Sequence, residues 1–346
     1  MTNPSSKLEP KAIAKDILQT IEKEREREIV ARRYGLFERK ETLEQIGELL
    51  GITRERVRQL EKVIVTRLKS QASEGKLPHI KDVEQQILKV LGVTGKSSTI
   101  ANLTKVIAIE DNKFSRAQIA FLCALSPNLI VIDENDTFYQ GVAMKPDYKD
   151  VKSLQKQISN VVDAIKELNK PESIENIAKH QKISEVSKVK ALASLSKQIT
   201  SLNGSWGLTK WPTVNPKNIR DKIYVILKEN KKQMHFSEIA GKIKKSDFKR
   251  KDVTVQAIHN ELIKDDRFVL VGRGIYALKE WGFKKGTVSD VIADVLKKAD
   301  EPLHRDEIVK RVLKNRYVKE TTILLNLQGK KQFKRVAKAT YALSEN

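Results

Sequence analysis

The sequence predicts a mainly α-helical chain: one helix-turn-helix, then a tandem array of small units, each of three helices closed by a β-hairpin. Three observations carry this. Residues 41–69, ETLEQIGELLGITRERVRQLEKVIVTRLK, hold apolar side chains at helical spacing around two glycines four residues apart. In the C-terminal half, sequence landmarks recur 69 and 65 residues apart. Between those landmarks, residues 267–278 place β-branched residues around Gly272 and Gly274, which reads as a hairpin.

The helix-turn-helix comes first. Thr42 with Gln45 three residues later reads as a capping box that opens one helix. Gly47 falls where two helices cross closely, and Gly51 supplies a turn that needs positive φ. Thr53 is a good N-cap for the second helix, which begins Arg54-Glu55-Arg56. Ile46, Leu50, Ile52, Val57 and Leu60 form an apolar seam, continued inward by Ile64. The outer face then carries Arg54, Glu55, Arg58, Gln59 and Lys62. Singly, such charges are ordinary solvated residues paired at i,i+4. Beside two glycines and an apolar seam they form the face a recognition helix needs. Arg can grip guanine bidentately, Gln suits adenine, and Glu accepts from cytosine.

These residues resemble region 4 of the sigma-70 family, the domain that reads the promoter −35 element. The upstream text EREREIVARRYGLF (24–37), with its Arg-Tyr-Gly-Leu, resembles the first half of that region, so the likeness covers about residues 12–70. It implies that Arg54, Glu55 and Gln59 touch bases, and that Arg56, Arg58 and Lys62 hold phosphates. It also turns the helix around Ile21–Leu36 toward the flap of the RNA polymerase β subunit. Nothing before residue 12 has room for the sigma regions that bind polymerase core and open the −10 element. The resemblance is to one region, not to a complete sigma factor.

Composition sets the frame for the rest. The 346 residues are 40% apolar and only 5% aromatic, with a net charge of +22, which suits several small helical modules and a polyanionic partner. Residues 217–346 hold 31 basic and 17 acidic side chains and so most of the excess, whereas residues 77–150 are slightly acidic. Cys123 is the one cysteine and lies in an apolar run, which excludes a CxxC metal or redox pair and reads as a buried thiol. The start, MTNPSSKLEPK, lacks the apolar stretch of a signal peptide, and no aliphatic run is long enough to span a bilayer. A cytoplasmic protein without membrane contact is the expectation.

Residues 1–11 read as a frayed, disordered tail, 12–72 as the helix-turn-helix, and Ser70–Pro78 as a linker. Four units follow, at 77–147, 152–214, 217–283 and 286–346. Gln233-Met-His-Phe-Ser-Glu-Ile aligns with Pro302-Leu-His-Arg-Asp-Glu-Ile, and Gly274-Ile-Tyr-Ala-Leu with Ala339-Thr-Tyr-Ala-Leu. Weaker copies lie upstream: Pro171–Ala178 with Gly204–Trp211, and Phe114–Ala120 with Leu129–Ile132, a turn at 133–136, and Thr137–Gln140 as the second hairpin strand. Three helices and a hairpin make the winged-helix plan, in which the third helix can enter a groove while the wing touches backbone. Residues 217–283 resemble the HARE-type winged helix, through Met234–Ala240, Thr254–Leu262 and Val271–Leu278, and 286–346 resemble it as a second copy. That family implies nucleic-acid or polymerase association. In the last unit the hairpin glycines are gone, and Lys334, Arg335 and Lys338 stand there instead.

On the third unit, Thr254, Gln256, His259 and Asn260 are candidate groove contacts, with Lys251 beside them and Arg273 on the wing. Lys244, Lys245, Lys249 and Arg250 precede the helix in a loop suited to phosphates. The acidic unit 77–150 reads as a spacer or protein-binding module, since Asp133, Glu134 and Asp136 would repel phosphate. Gly92–Ser97 lacks the glycine a P-loop needs at position 90. The five histidines stand singly, and His235 and His304 fit helix-start hydrogen bonds. No catalytic elbow or metal-ligand spacing is present, so neither an enzyme nor a cofactor is expected. The sequence thus points to a transcription factor that binds double-stranded, promoter-like DNA and associates with RNA polymerase. Two rivals stand beside it: a delta- or anti-sigma-like polymerase modulator that reads no sequence, and the recognition subunit of a restriction or repair system. No heptad run identifies a dimer interface.

Overall fold

The computed structural model describes residues 7–248, 250, 252–283 and 286–344. The chain is mainly α-helical, with 17 α-helices and four three-stranded antiparallel sheets among the described residues. It divides between Lys210 and Trp211 into two bodies.

The first body opens with α1 (Pro10–Gln19), α2 (Glu24–Tyr34), α3 (Leu43–Leu50) and α4 (Arg54–Ser73). Gly35 ends α2 and Gly51 ends α3, both left-handed at φ 67° and 62°. The capping box at Thr42 and Gln45 forms in both directions. Thr53 Oγ accepts from the Arg56 amide at 3.2 Å and so starts α4. Then come α5 (Ile80–Thr94), β1 (Ser97–Thr99), α6 (Ile100–Ile107), α7 (Lys113–Leu125), β2 (Leu129–Ile132), β3 (Gly141–Met144) and a single turn, α8 (Lys145–Tyr148). The next unit is α9 (Val151–Leu168), β4 (Glu172–Ser173), α10 (Ile174–His180), α11 (Val186–Leu195), β5 (Ile199–Leu202) and β6 (Ser205–Leu208).

The second body repeats that order twice. Its first unit is α12 (Ile219–Asn230), β7 (Met234–His235), α13 (Phe236–Lys245), α14 (Val255–Lys264), β8 (Phe268–Gly272) and β9 (Ile275–Leu278). Its second is α15 (Val288–Ala299), β10 (Leu303–His304), α16 (Arg305–Leu313), α17 (Glu320–Gly329), β11 (Phe333–Ala337) and β12 (Thr340–Leu343). In every sheet the second hairpin strand is central, with the first hairpin strand on one side and a short strand on the other. That short strand, two or three residues between the first and second helices, was not foreseen from sequence. The side chain of its last residue caps the second helix. His235 Nδ1 accepts from the Ser237 amide at 3.3 Å, and His304 Nδ1 from the Asp306 amide at 3.4 Å.

Several expectations need correction. Of the tail expected at residues 1–11, residues 1–6 lie outside the described residues, and Lys7–Lys11 is not frayed: Leu8 is 8% exposed, bridges Ala108, and its amide donates to the Ile107 carbonyl at 2.8 Å. Ser70–Pro78 is no linker, because α4 continues to Ser73 while Ala72 and Leu77 join a core that runs from Leu8 to Val142. A separate cluster around Ile29, Ile46 and Val57 holds the helix-turn-helix seam. The second hairpin strand of the unit at 77–147 is Gly141–Met144, not Thr137–Gln140. Asn135 caps the intervening loop, and Phe138 bridges Ser196 of the next unit instead of joining the sheet.

The hairpins of the second body share one register. Leu270 pairs Tyr276 and Gly272 pairs Ile275, while Arg335 pairs Tyr341 and Ala337 pairs Thr340, with a bulge at the same place in each. Ala339, at φ 57°, takes the left-handed position that Gly274 holds at φ 68°. The carbonyl of each accepts from the first amide of the second helix, Arg305 or Phe236. The hairpin therefore keeps its turn without glycine, against a steric penalty at Ala339. Ala339→Gly is expected to stabilise the second body by roughly 0.5–1 kcal/mol, after the added flexibility of the unfolded chain is subtracted. A shift of the urea midpoint at constant m-value is the check.

Candidate nucleic-acid interface

The recognition face of α4 is open. Arg54, Glu55, Arg56, Arg58, Gln59 and Lys62 are all exposed, while Val57, Ile64 and Leu68 anchor the other side of the helix. Glu55 is the hub of the first two turns. Its carboxylate accepts two bonds from Arg58, at 2.8 and 2.7 Å, and a longer one from Gln59 Nε2 at 3.5 Å. The Arg58 guanidinium accordingly holds the Glu55 carboxyl below its usual pKa, helped by Gln59 and Arg54. Arg58, expected to hold phosphate, is tied in the free protein to a residue expected to meet a base. These fully exposed pairs do little for stability. Their effect is to bias side chains toward one arrangement before DNA arrives.

One close backbone approach and two ion pairs set the frame of that helix. An added Cβ on Gly47 would lie 2.6 Å from the Ile52 carbonyl oxygen, so α3 and the turn into α4 approach as closely as glycine permits. Behind them, Arg67 pairs with Glu26 at 2.9 Å and Arg33 with Glu61 at 3.3 Å, fastening α4 to α2.

The far side of α1 and α2 is covered by α7, the third helix of the next unit. Tyr34 meets Phe121 edge-on with centroids 4.9 Å apart, and Gln118 Nε2 donates to the Leu36 carbonyl at 2.6 Å. Burial, with Glu61 and Asp133 nearby, pushes the Tyr34 phenol up to about 12. The apolar side of the segment Ile21–Leu36, which the resemblance turned toward a polymerase flap, is thus filled from within the chain. What stays exposed there is polar: Glu22, Lys23, Glu24 and Arg25. The third helix of the second unit is also committed, since α11 packs on β1 and α5. At Gly95, φ 103°, any Cβ would collide with the Ser187 carbonyl of that helix. Neither α7 nor α11 is free to enter a groove.

In the second body the predicted residues scatter more. Thr254 caps α14 by accepting from the Ala257 amide at 3.2 Å, and Gln256 donates to Asn260 at 3.1 Å on its exposed face. His259 is only partly exposed. Its ring lies 4.7 Å from Phe236, which in turn lies 4.3 Å from His235, under the hairpin turn at Gly274. Arg273 is exposed at that turn. Lys244 and Lys245 belong to the last turn of α13, not to the loop. Lys249 and Lys251 lie outside the described residues. Sequence reading missed Lys222 on α12, a buried ammonium that donates to the Arg250 carbonyl at 2.7 Å and holds the basic loop by its backbone. Desolvation, then the Arg250 guanidinium, lowers its pKa.

Residues 23–70 match the family described as Sigma-70, region 4. The matched segment holds a DNA-binding helix-turn-helix of the sigma-factor kind, formed by α3 and α4 after α2. The remaining residues lie outside that match. Among the described residues no helix is long and apolar enough to cross a membrane.

Proposed function

We propose that the chain is a transcription factor whose α4 reads a −35-like hexamer in duplex DNA, with the basic second body adding grip on flanking DNA. In this reading the four repeated units are winged-helix modules, the last two of the HARE type. The first two act as a brace, because their third helices are spent on packing. The observation that carries the proposal is the pairing of an open face at Arg54, Glu55 and Gln59 with a helix clamped from behind by α2 and α7. Rigid presentation of a polar, mixed-charge face suits base reading. RNA polymerase is the expected partner of the DNA-bound state, met by the exposed polar side of α2. The role is binding, not catalysis.

Fluorescence anisotropy with a TTGACA-containing duplex and a scrambled one tests this directly. The intact chain should prefer the hexamer. Arg54→Ala/Gln59→Ala should lower that preference at least about thirtyfold, as two base contacts of about 1–3 kcal/mol each require, with scrambled binding nearly unchanged. Equal binding of both duplexes by the intact chain would remove the sequence-reading role and leave the polymerase modulator.

A further inference from the structure

Resting on the DNA-binding reading above, we propose that the last hairpin is a phosphate-gripping site for duplex DNA, through Lys330, Lys331, Lys334, Arg335 and Lys338. The comparison that points to it lies within the second body. Strands β8 and β11 occupy the same place in their sheets, with the same register and the same bulge, so Val269 corresponds to Lys334, Leu270 to Arg335 and Val271 to Val336. In the earlier unit one face of this strand and its edge are covered, while Leu270 on the other face is 45% exposed. Val269 and Val271 pack with Ala277 against Trp281 and Phe283. Its edge is closed by the chain just before α17: Arg316 Nη1 donates to the Leu270 carbonyl at 2.9 Å, and the Tyr317 amide to the Val271 carbonyl at 3.1 Å. In the last unit no described residue plays either part. Val271 is 0% exposed and its counterpart Val336 47%. Of β11 only Phe333 is buried.

An open, two-sided strand of this kind carries charge, and only one sign of it. Between Thr321 and Ser344 there are five basic side chains and no acidic one. All five are exposed, and none makes an ion pair within the described residues. Arg335 alone is anchored, by its Nε donating to the Ala337 carbonyl at 3.2 Å. Five uncompensated cations on a hairpin and the residues leading into it suit a polyanion, whose binding is driven by counterion release. The competing explanation is that lysines on an edge strand merely block strand addition by another chain. That role needs charge at the edge, but it gives no salt-dependent affinity for DNA.

The test uses the full chain and a duplex without the hexamer, titrated over a salt series. Lys334→Ala/Arg335→Ala/Lys338→Ala should lower the slope of log K against log salt by roughly 2–3, about 0.9 for each lost phosphate contact. The control Lys152→Ala/Lys156→Ala/Lys179→Ala, three exposed lysines of the first body, should leave the slope in place. Lys334→Arg/Lys338→Arg should restore it, which separates charge from fold. An unchanged slope in the alanine variant while the intact chain still binds DNA overturns the proposal. Self-association of that variant with unaltered DNA binding does the same and assigns the lysines to edge protection. If the intact chain binds neither duplex, the DNA-binding reading itself fails, a result distinct from both.

Discussion

Phe121→Ala should lower the stability of the first body by about 3–5 kcal/mol, the range for removing a fully buried phenyl ring. Phe121 is 0% exposed and lies in the core that joins α1, α2 and α4 to α7. Its partner Tyr34 sits on the last turn of α2, the helix that holds α4 through Arg33 and Arg67. Loss of the ring is therefore expected to weaken DNA binding by a residue some fifty positions beyond the matched segment. Denaturant unfolding followed by circular dichroism, with anisotropy on the same samples, would show both effects. Residues 7–76 expressed alone should expose Ile17, Leu18, Ile21 and Leu36 and self-associate. A soluble, folded, DNA-binding fragment would show that the shared core is dispensable.

Gly47→Ala is expected to be the most damaging single methyl group in the helix-turn-helix. The new Cβ would meet the Ile52 carbonyl oxygen at 2.6 Å, with the Arg54 amide nitrogen at 3.4 Å. Both neighbours are backbone of the turn that launches α4, so neither can yield without disturbing the Thr53 cap. Overpacking of this kind costs about 1–3 kcal/mol, and the value should fall at the upper end. Hexamer preference should be lost with it. Gly51→Ala is the contrast, because no atom lies within 4 Å of its added Cβ and only the positive φ opposes the change. That strain is about 1 kcal/mol, and the DNA-reading geometry should survive it. Equal effects of the two substitutions would mean that close approach is not what Gly47 provides.

The contrast between those glycines also shows what could be read in advance. Both follow from spacing, as do the capping box at Thr42, the cap at Thr53 and the helix-start histidines, because each concerns residues a few positions apart. The hairpin at 268–278 was legible for the same reason. Thr137–Gln140 misled: a β-branched residue followed by aromatics reads as a strand, yet Phe138 is claimed by a distant unit. The short strands β4, β7 and β10 carry no local signal, since each pairs with a strand some thirty to forty residues further on. Leu8 falls within the expected tail, and only its bridge to Ala108 gives it a place.

By itself the sequence determined the helix-turn-helix, its outward polar face, and the repeat that runs through the C-terminal half. Those features rest on local periodicity, caps and turns, whose energetics lie within a few residues. Tertiary structure alone decided which faces remain free. It closed the apolar side of α1 and α2 with α7, spent α11 on the neighbouring unit, covered one face of β8 and left β11 open. Such choices depend on burial between segments far apart in the chain, where a side chain's neighbours, and hence its availability to DNA, are set by packing.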